Sequence, residues 1–305
     1  MLDLPVTEQP NPVAVGLDTK TTLGILNIMN AEDQKVPLAV ASQLETIARL
    51  VDAFVRAYEA GGRVFYVGAG TSGRLGVLDA VECMPTFGIP AGRVEAILAG
   101  GIGAFFRSWE GLEDDEAAGQ AVVIEKEMGR EDLVIGITAS GETPFVLGCA
   151  AAAKKRGCTT GAITCSPAST ISRLVDIPVV VVVGPEVVAG STRLKAGTAQ
   201  KLVLNMVSTT AAIRLGKVYD RFMVDLQATN RKLRERAARI LMAITGEDEA
   251  VVEVVLQDAN YQVKTALLML LGRVSCQTAR ELLQSHGGYV RKALEALGIG
   301  GEDAC

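Results

Sequence analysis

The chain has 305 residues, enough for one large α/β domain with a smaller companion. Hydrophobic residues make up 49% but aromatics only 4%, and there are 32 glycines, which excludes a disordered chain and suits an aliphatic α/β core better than a β-sandwich. A net charge of −5 with both signs interspersed lacks the basic footprint of a nucleic-acid binder.

Residues 1–35 read as an arm, in which "LDTKTTLGILNIMN" places Leu23, Leu26 and Met29 on one helical face after a Thr-rich cap. The segment "VPLAVASQLETIARLVDAFVRAYEAGG" follows as one long amphipathic helix closed by Gly61 and Gly62. Short apolar runs then alternate with helical lengths: "RVFYV", "VEAIL", "DLVIGIT", "TTGAIT" and "IPVVVVV". That rhythm predicts a parallel sheet with helices on both faces, whose ligands sit beyond the carboxyl ends of the strands. "IPVVVVVGPEVVAG" is too short and too interrupted to cross a bilayer, and "MLDLPVTEQP" has no leader pattern, so we read a soluble cytoplasmic protein.

From "AGSTRLKAGTAQKLVLNMVSTTAAIRLG" onward the chain reads as helical. "VLQDANYQVKTALLML" aligns with "LLQSHGGYVRKALEAL", pairing Leu256 with Leu283, Val263 with Val290, Ala266 with Ala293 and Leu267 with Leu294. Two helix–turn–helix copies predict a small helical domain, since stacked arrays need at least ~3 repeats. The six cysteines, Cys83, Cys149, Cys158, Cys165, Cys276 and Cys305, form no C-x-x-C and read as thiols in a reducing compartment. The single histidine, His286, supplies no metal cluster and reads as a turn residue.

The segment "YVGAGTSGRLG" satisfies G-x-G-x-x-G at Gly68, Gly70 and Gly73. A dinucleotide loop wants an acidic residue about 20 positions on, at the end of the next strand. Here "VEAIL" runs instead into Ala99, Gly100 and Gly101. Thr71 and Ser72 add hydroxyls to the backbone N–H groups, which suits a phosphate monoester at a helix N-terminus. A second loop of the same chemistry, "GITASGETP", supplies Ser140, Gly141 and Thr143 before a helix that Pro144 opens. Each loop alone would be an ordinary helix cap. Together they point to a phosphosugar pocket.

This pairing resembles the sugar isomerase (SIS) fold: an α/β three-layer sandwich around a central parallel sheet, followed here by the small all-helical domain. "YVGAGTSGRLGVLDAVECMPTFG", "EGLEDD", "ITASGETP", "GSTRLKAGTAQKLVLNMVSTTAAIRLGKVYDRFMVDLQATNRKL" and the N-terminal "TEQPNP" and "EDQKVPLAV" resemble the N-acetylmuramic acid 6-phosphate etherase family over nearly the whole chain. The resemblance implies an arm at 1–35, an SIS sugar-phosphate domain at 36–245 and a helical domain at 246–305. It also implies a carbon–oxygen lyase without metal or organic cofactor, a phosphorylated amino-sugar substrate and a homodimer. By the family's pattern the catalytic acids fall on Glu82 in "AVEC" and Glu113 in "EGLEDD". Glu82 would handle lactate and water at C3, and Glu113 would assist at C2 or in ring opening. Gly70, Thr71, Ser72, Gly73, Ser140, Gly141 and Thr143 would bind the substrate.

"STRLK" adds Ser191, Thr192, Arg193 and Lys195. One or more could hold the phosphate or the lactate carboxylate, and pairing of Arg193 or Lys195 with a carboxylate in a subunit contact is the competing reading. Nine residues beyond Gly73 is ~13 Å of helix rise, the scale of a hexose phosphate with its contacts. Glu142 stands inside the second loop where Arg is usual in the family, an anion that belongs beside phosphate only if its side chain points away. A sugar-phosphate isomerase and a non-catalytic sugar-phosphate sensor resembling the glucokinase regulatory protein are the rival readings.

Overall fold

The computed structural model describes residues 5–299 except 108, 110, 227 and 229, so Cys305 and the ends of the expected arm and tail lie outside the described residues. The expected α/β sandwich with C-terminal helices is what forms. The arm carries α1 (Thr22–Asp33), capped by the Thr21 hydroxyl, which accepts from the Gly24 N–H at 3.2 Å. The single long helix expected next is two, α2 (Lys35–Ala41) and α3 (Leu44–Glu59), because Gln43 leaves the helical region at φ −113° and ψ 8°.

Five strands follow: β1 (Val64–Gly68), then α4 (Gly70–Phe87), β2 (Val94–Leu98), the short α5 (Gly103–Phe106), α6 (Glu116–Glu125), β3 (Leu133–Ile137), α7 (Pro144–Lys155), β4 (Thr159–Thr164), α8 (Thr170–Leu174) and β5 (Ile177–Val180). All pair in parallel, in the order β2-β1-β3-β4-β5. The apolar run "IPVVVVV" is strand only as far as Val180, because its partner β4 ends at Thr164, whose carbonyl accepts a last bond from the Val181 N–H at 2.8 Å. Phe65, Val67, Val134 and Ala162 pack with Val123 of α6 and Phe145, Val146 and Cys149 of α7 in one buried cluster. On the opposite face, α4 lies over Tyr66 and Ile137 at Gly76, and Leu50 of α3 approaches Gly161. Alternate side chains of each strand therefore feed two helical layers.

Helix α9 (Lys195–Arg214) is followed by a two-residue hairpin, β6 (Val218–Tyr219) and β7 (Phe222–Met223), that the sequence reading took as helical. Helices α10 (Arg231–Thr245), α11 (Glu249–Asp258), α12 (Val263–Gly272), α13 (Cys276–Ser285) and α14 (Val290–Ala296) complete the chain. Two compact units result, one of residues 1–81 and 91–208, the other of 82–90 and 209–305. In the second, the paired repeat positions Leu256/Leu283, Val263/Val290, Ala266/Ala293 and Leu267/Leu294 all fall in one core. Both repeats turn through two consecutive left-handed residues, Gly287–Gly288 in the second copy and Asn260–Tyr261 in the first.

Cys83, Cys149, Cys158 and Cys165 are buried and form no disulfide, and burial pushes Cys149 and Cys165 up to about 12. His286 caps α13, with Nδ1 2.8 Å from the Leu282 carbonyl. Among the described residues no helix is long and apolar enough to cross a membrane.

Candidate functional site

The sheet reverses its winding between β1 and β3, and the crevice beyond their carboxyl ends is where such sheets hold ligands. Two helices start there. Helix α4 begins at Gly70, two residues after β1, because Gly68 and Gly73 let strand and helix touch: a Cβ on Gly73 would lie 2.6 Å from the Gly68 carbonyl oxygen and 2.5 Å from Leu98 Cδ1. Helix α7 begins at Pro144 after the Thr143 cap. Between the two starts lies a cavity of about 310 Å³.

Ala69, Gly70, Thr71 and Ser72 line it from the first loop, Ala139, Ser140 and Thr143 from the second, and Thr192 from the approach to α9. The two loops singled out in the sequence thus share one cavity, and each opens a helix whose N-terminal end suits an anion. The second loop is organised by buried Thr138, whose hydroxyl accepts from the Gly141 N–H at 3.1 Å and pairs with the Thr143 hydroxyl at 2.8 Å. Gly141 has φ +74°, and a Cβ there would sit 2.4 Å from Ser169. Gly73 and Gly141 therefore shape the loops without lining the cavity. Ser72 donates to Gln200 Oε1 of α9 at 2.9 Å.

Glu142 points away. Its carboxylate accepts from the Thr170 N–H at 2.7 Å and caps α8, which removes the anion from the phosphate side of the loop.

Glu113 lines the cavity from the turn Leu112–Asp114, which follows Gly111 at φ +81°. Glu82 is an exposed residue of α4, nine positions beyond Gly73, and is not among the cavity's lining residues. One turn before it, Asp79 is buried; burial raises its carboxyl above the usual range, against hydrogen bonds from Asn205, Ser208 and Tyr66.

Lys195 is placed differently from the substrate-binding role expected of it. Its side chain is 2% exposed and donates to Glu32 Oε2 at 2.6 Å. Asn11 and Lys35 also bond Glu32, and these contacts overcome the effect of burial to lower its carboxyl to about 2. Glu186 receives the Lys195 and Ala196 N–H groups at 3.0 and 2.9 Å and caps α9. Lys195 thus clamps the arm to the start of α9, as an intramolecular form of the ion-pair alternative. Ser191 and Arg193 do not line the cavity.

Sequence reasoning missed Glu8, Arg74, Arg107 and Trp109, all of which line it. Arg74 donates to the carbonyls of Ala104 at 2.7 Å and Phe105 at 3.0 Å, holding the segment that carries Arg107 against α4. Its place directly after "TSG" was the available signal. Glu8 reaches the cavity from the arm through the Thr7 carbonyl, which accepts from the Gly190 N–H at 3.2 Å, and no local motif announces it.

Comparison with known proteins agrees with this geometry. Residues 46–154 match the glucokinase regulatory protein N-terminal SIS domain model and residues 123–210 the SIS domain model. A phosphoheptose isomerase from Francisella tularensis, 17% identical, superposes with a TM-score of 0.50 over 64% of this chain and 100% of that one, which shows the fold. The N-acetylmuramic acid 6-phosphate etherases of Serratia proteamaculans and Pectobacterium atrosepticum are each 50% identical over 289 residues, 95% of this chain and 97% and 95% of theirs. The chain belongs to the N-acetylmuramic acid 6-phosphate etherase family. An etherase from Yersinia pestis, 49% identical, spans 95% of this chain and 98% of its own, so the match extends over nearly the whole chain.

Proposed function

We propose that this protein cleaves the D-lactyl ether of N-acetylmuramic acid 6-phosphate by elimination and hydration, in recycling of cell-wall amino sugars in the cytoplasm. The observation that carries the reading is one cavity lined by two hydroxyl-bearing helix starts and by Glu113. The phosphoryl group sits against the Gly70 backbone and the Thr71, Ser72, Ser140 and Thr143 hydroxyls. With the sugar ring open, the C1 aldehyde acidifies C2–H. Removal of that proton and loss of lactate from C3 break the C2–H and C3–O bonds and form C2=C3. Water then returns a hydroxyl to C3 and a proton to C2, giving N-acetylglucosamine 6-phosphate and D-lactate with one water consumed.

Glu82 protonates the departing lactate and activates the water, and Glu113 serves at C2 or in ring opening. Arg107, as a cavity-lining guanidinium, suits the lactate carboxylate. Glu82 lies among exposed Leu78, Val81 and Met84 on α4. An apolar stripe of that kind around a catalytic acid supports a homodimer in which a second copy covers it and excludes water.

Purified protein given N-acetylmuramic acid 6-phosphate in ¹⁸O-water is expected to release D-lactate and incorporate label at C3. Glu82→Gln should lower turnover about 10³-fold while still binding a product analogue. Tight analogue binding by the unaltered protein with no lactate release would instead support a sensor. Sedimentation of Val81→Glu as a monomer beside a dimeric parent would support the covered stripe.

A further inference from the structure

Ser72 has one hydroxyl proton, and it is directed into the protein, to Gln200 Oε1 at 2.9 Å. In that state its oxygen offers the cavity only lone pairs, the wrong polarity for a phosphoryl group. Gln200 is 1% exposed, and its Nε2 has no hydrogen-bond partner among the described residues. Leaving a buried amide NH₂ unsatisfied is unfavourable, and native structures seldom keep such a group without a use for it.

The other orientation of the amide reverses the polarity of the hydroxyl and gives Nε2 an acceptor. Turning the Gln200 amide over exchanges its oxygen and nitrogen at nearly unchanged shape. Nε2 then donates to Ser72 Oγ, and the Ser72 proton is released to point into the cavity. We propose that Gln200 is a positioning residue with two amide orientations, and that anion binding selects the one in which Gln200 donates to Ser72 and Ser72 donates to the phosphoryl oxygen. Hydrogen bonds aligned in this way polarise one another, so the anion is held by a relay reaching from the cavity into α9. The inference rests on the phosphoryl reading of the first loop. It goes beyond that reading because it makes the hydroxyl's polarity depend on a residue 128 positions away that does not line the cavity.

The test is a double-mutant cycle on dissociation constants for N-acetylglucosamine 6-phosphate, measured by calorimetry on full-length Ser72→Ala, Gln200→Met and the double variant, with melting temperatures recorded for each. Ser72→Ala and Gln200→Met are each expected to weaken binding about 10-fold, and the double variant no more than Ser72→Ala alone. A merely structural Gln200 would give additive losses and overturn the proposal. An unaffected Ser72→Ala would overturn the phosphoryl reading instead, so the two failures are distinct. Should Gln200→Met fold poorly, Gln200→Glu supplies the second arm: its carboxylate only accepts, whereas its carboxylic acid donates. The ratio of its dissociation constant to that of the unaltered protein should fall at least about 5-fold between about pH 8 and about pH 6. A ratio independent of pH counts against the relay.

Discussion

The two loops that line the cavity use the same residue types but are supported differently. The loop after β3 has a local hub, Thr138, which holds the Gly141 N–H and the Thr143 hydroxyl within five positions of itself, while the Gly141 carbonyl and the Glu142 carboxylate brace it against α8. The loop after β1 depends on distant chain, because Ser72 is bonded by Gln200 and the start of α9 is tied through Lys195 to Glu32 in the arm. A local hub fixes the hydroxyl and N–H directions of its loop from within the loop. A remote one couples its loop to the fold.

Lys195→Met should break that coupling most severely. It leaves Glu32 buried beside a weakened set of partners, and a loss of about 3 kcal/mol in denaturant unfolding is expected, with weaker analogue binding at the first loop. The pH dependence has a definite sign. Glu32 is lowered from 4.5 to about 2, so its stabilisation is present above pH 4.5 and is lost as pH falls from there toward about 2. Melting temperatures of the unaltered protein should decline through that window, and those of Lys195→Met should decline less.

Gly73→Ala comes next, at about 2–3 kcal/mol, because the colliding atoms include the Gly68 backbone, which can move only by separating α4 from β1. Gly70→Ala three residues earlier meets open space and bears only the strain of φ +51°, about 1 kcal/mol. Equal losses would show that packing does not distinguish the two glycines.

Thr138→Val should weaken analogue binding about 10-fold by removing the hub, while Thr138→Ser stays within about 2-fold. If the valine variant binds normally, the second loop is not organised as described. Glu142→Gln is the smallest effect, within about 0.5 kcal/mol, since its amide oxygen still accepts from Thr170; Glu142→Ala should lose about 1 kcal/mol of the α8 cap. Both are read from unfolding curves.

Much of this was legible beforehand. The five strands stood out as apolar runs, and Thr71, Ser72, Ser140 and Thr143 as hydroxyls in glycine-bearing turns before helices, because these signals are local. Three features were not. The break at Gln43 follows from backbone angles that no Gly or Pro announces. The β6–β7 hairpin is two residues on each side, below the length at which alternation is readable. Glu8 enters the cavity from an arm whose own sequence carries no binding pattern, and Arg107 and Trp109 from the loop of residues 100–115, which its place after a strand marks as ligand-facing while no motif marks these two residues.

The contrast between Lys195 and Glu142 marks the boundary between the two kinds of information. Composition, strand rhythm and turn chemistry determined an α/β protein with two anion-ready helix starts, because those depend on residues a few positions apart. Which charges face the cavity was decided only by folding: Lys195 turned inward to Glu32, 163 residues away, and Glu142 turned aside to α8, 28 residues away. A charged side chain settles where its desolvation is best compensated, and the compensating partner is a matter of packing between segments distant in the chain.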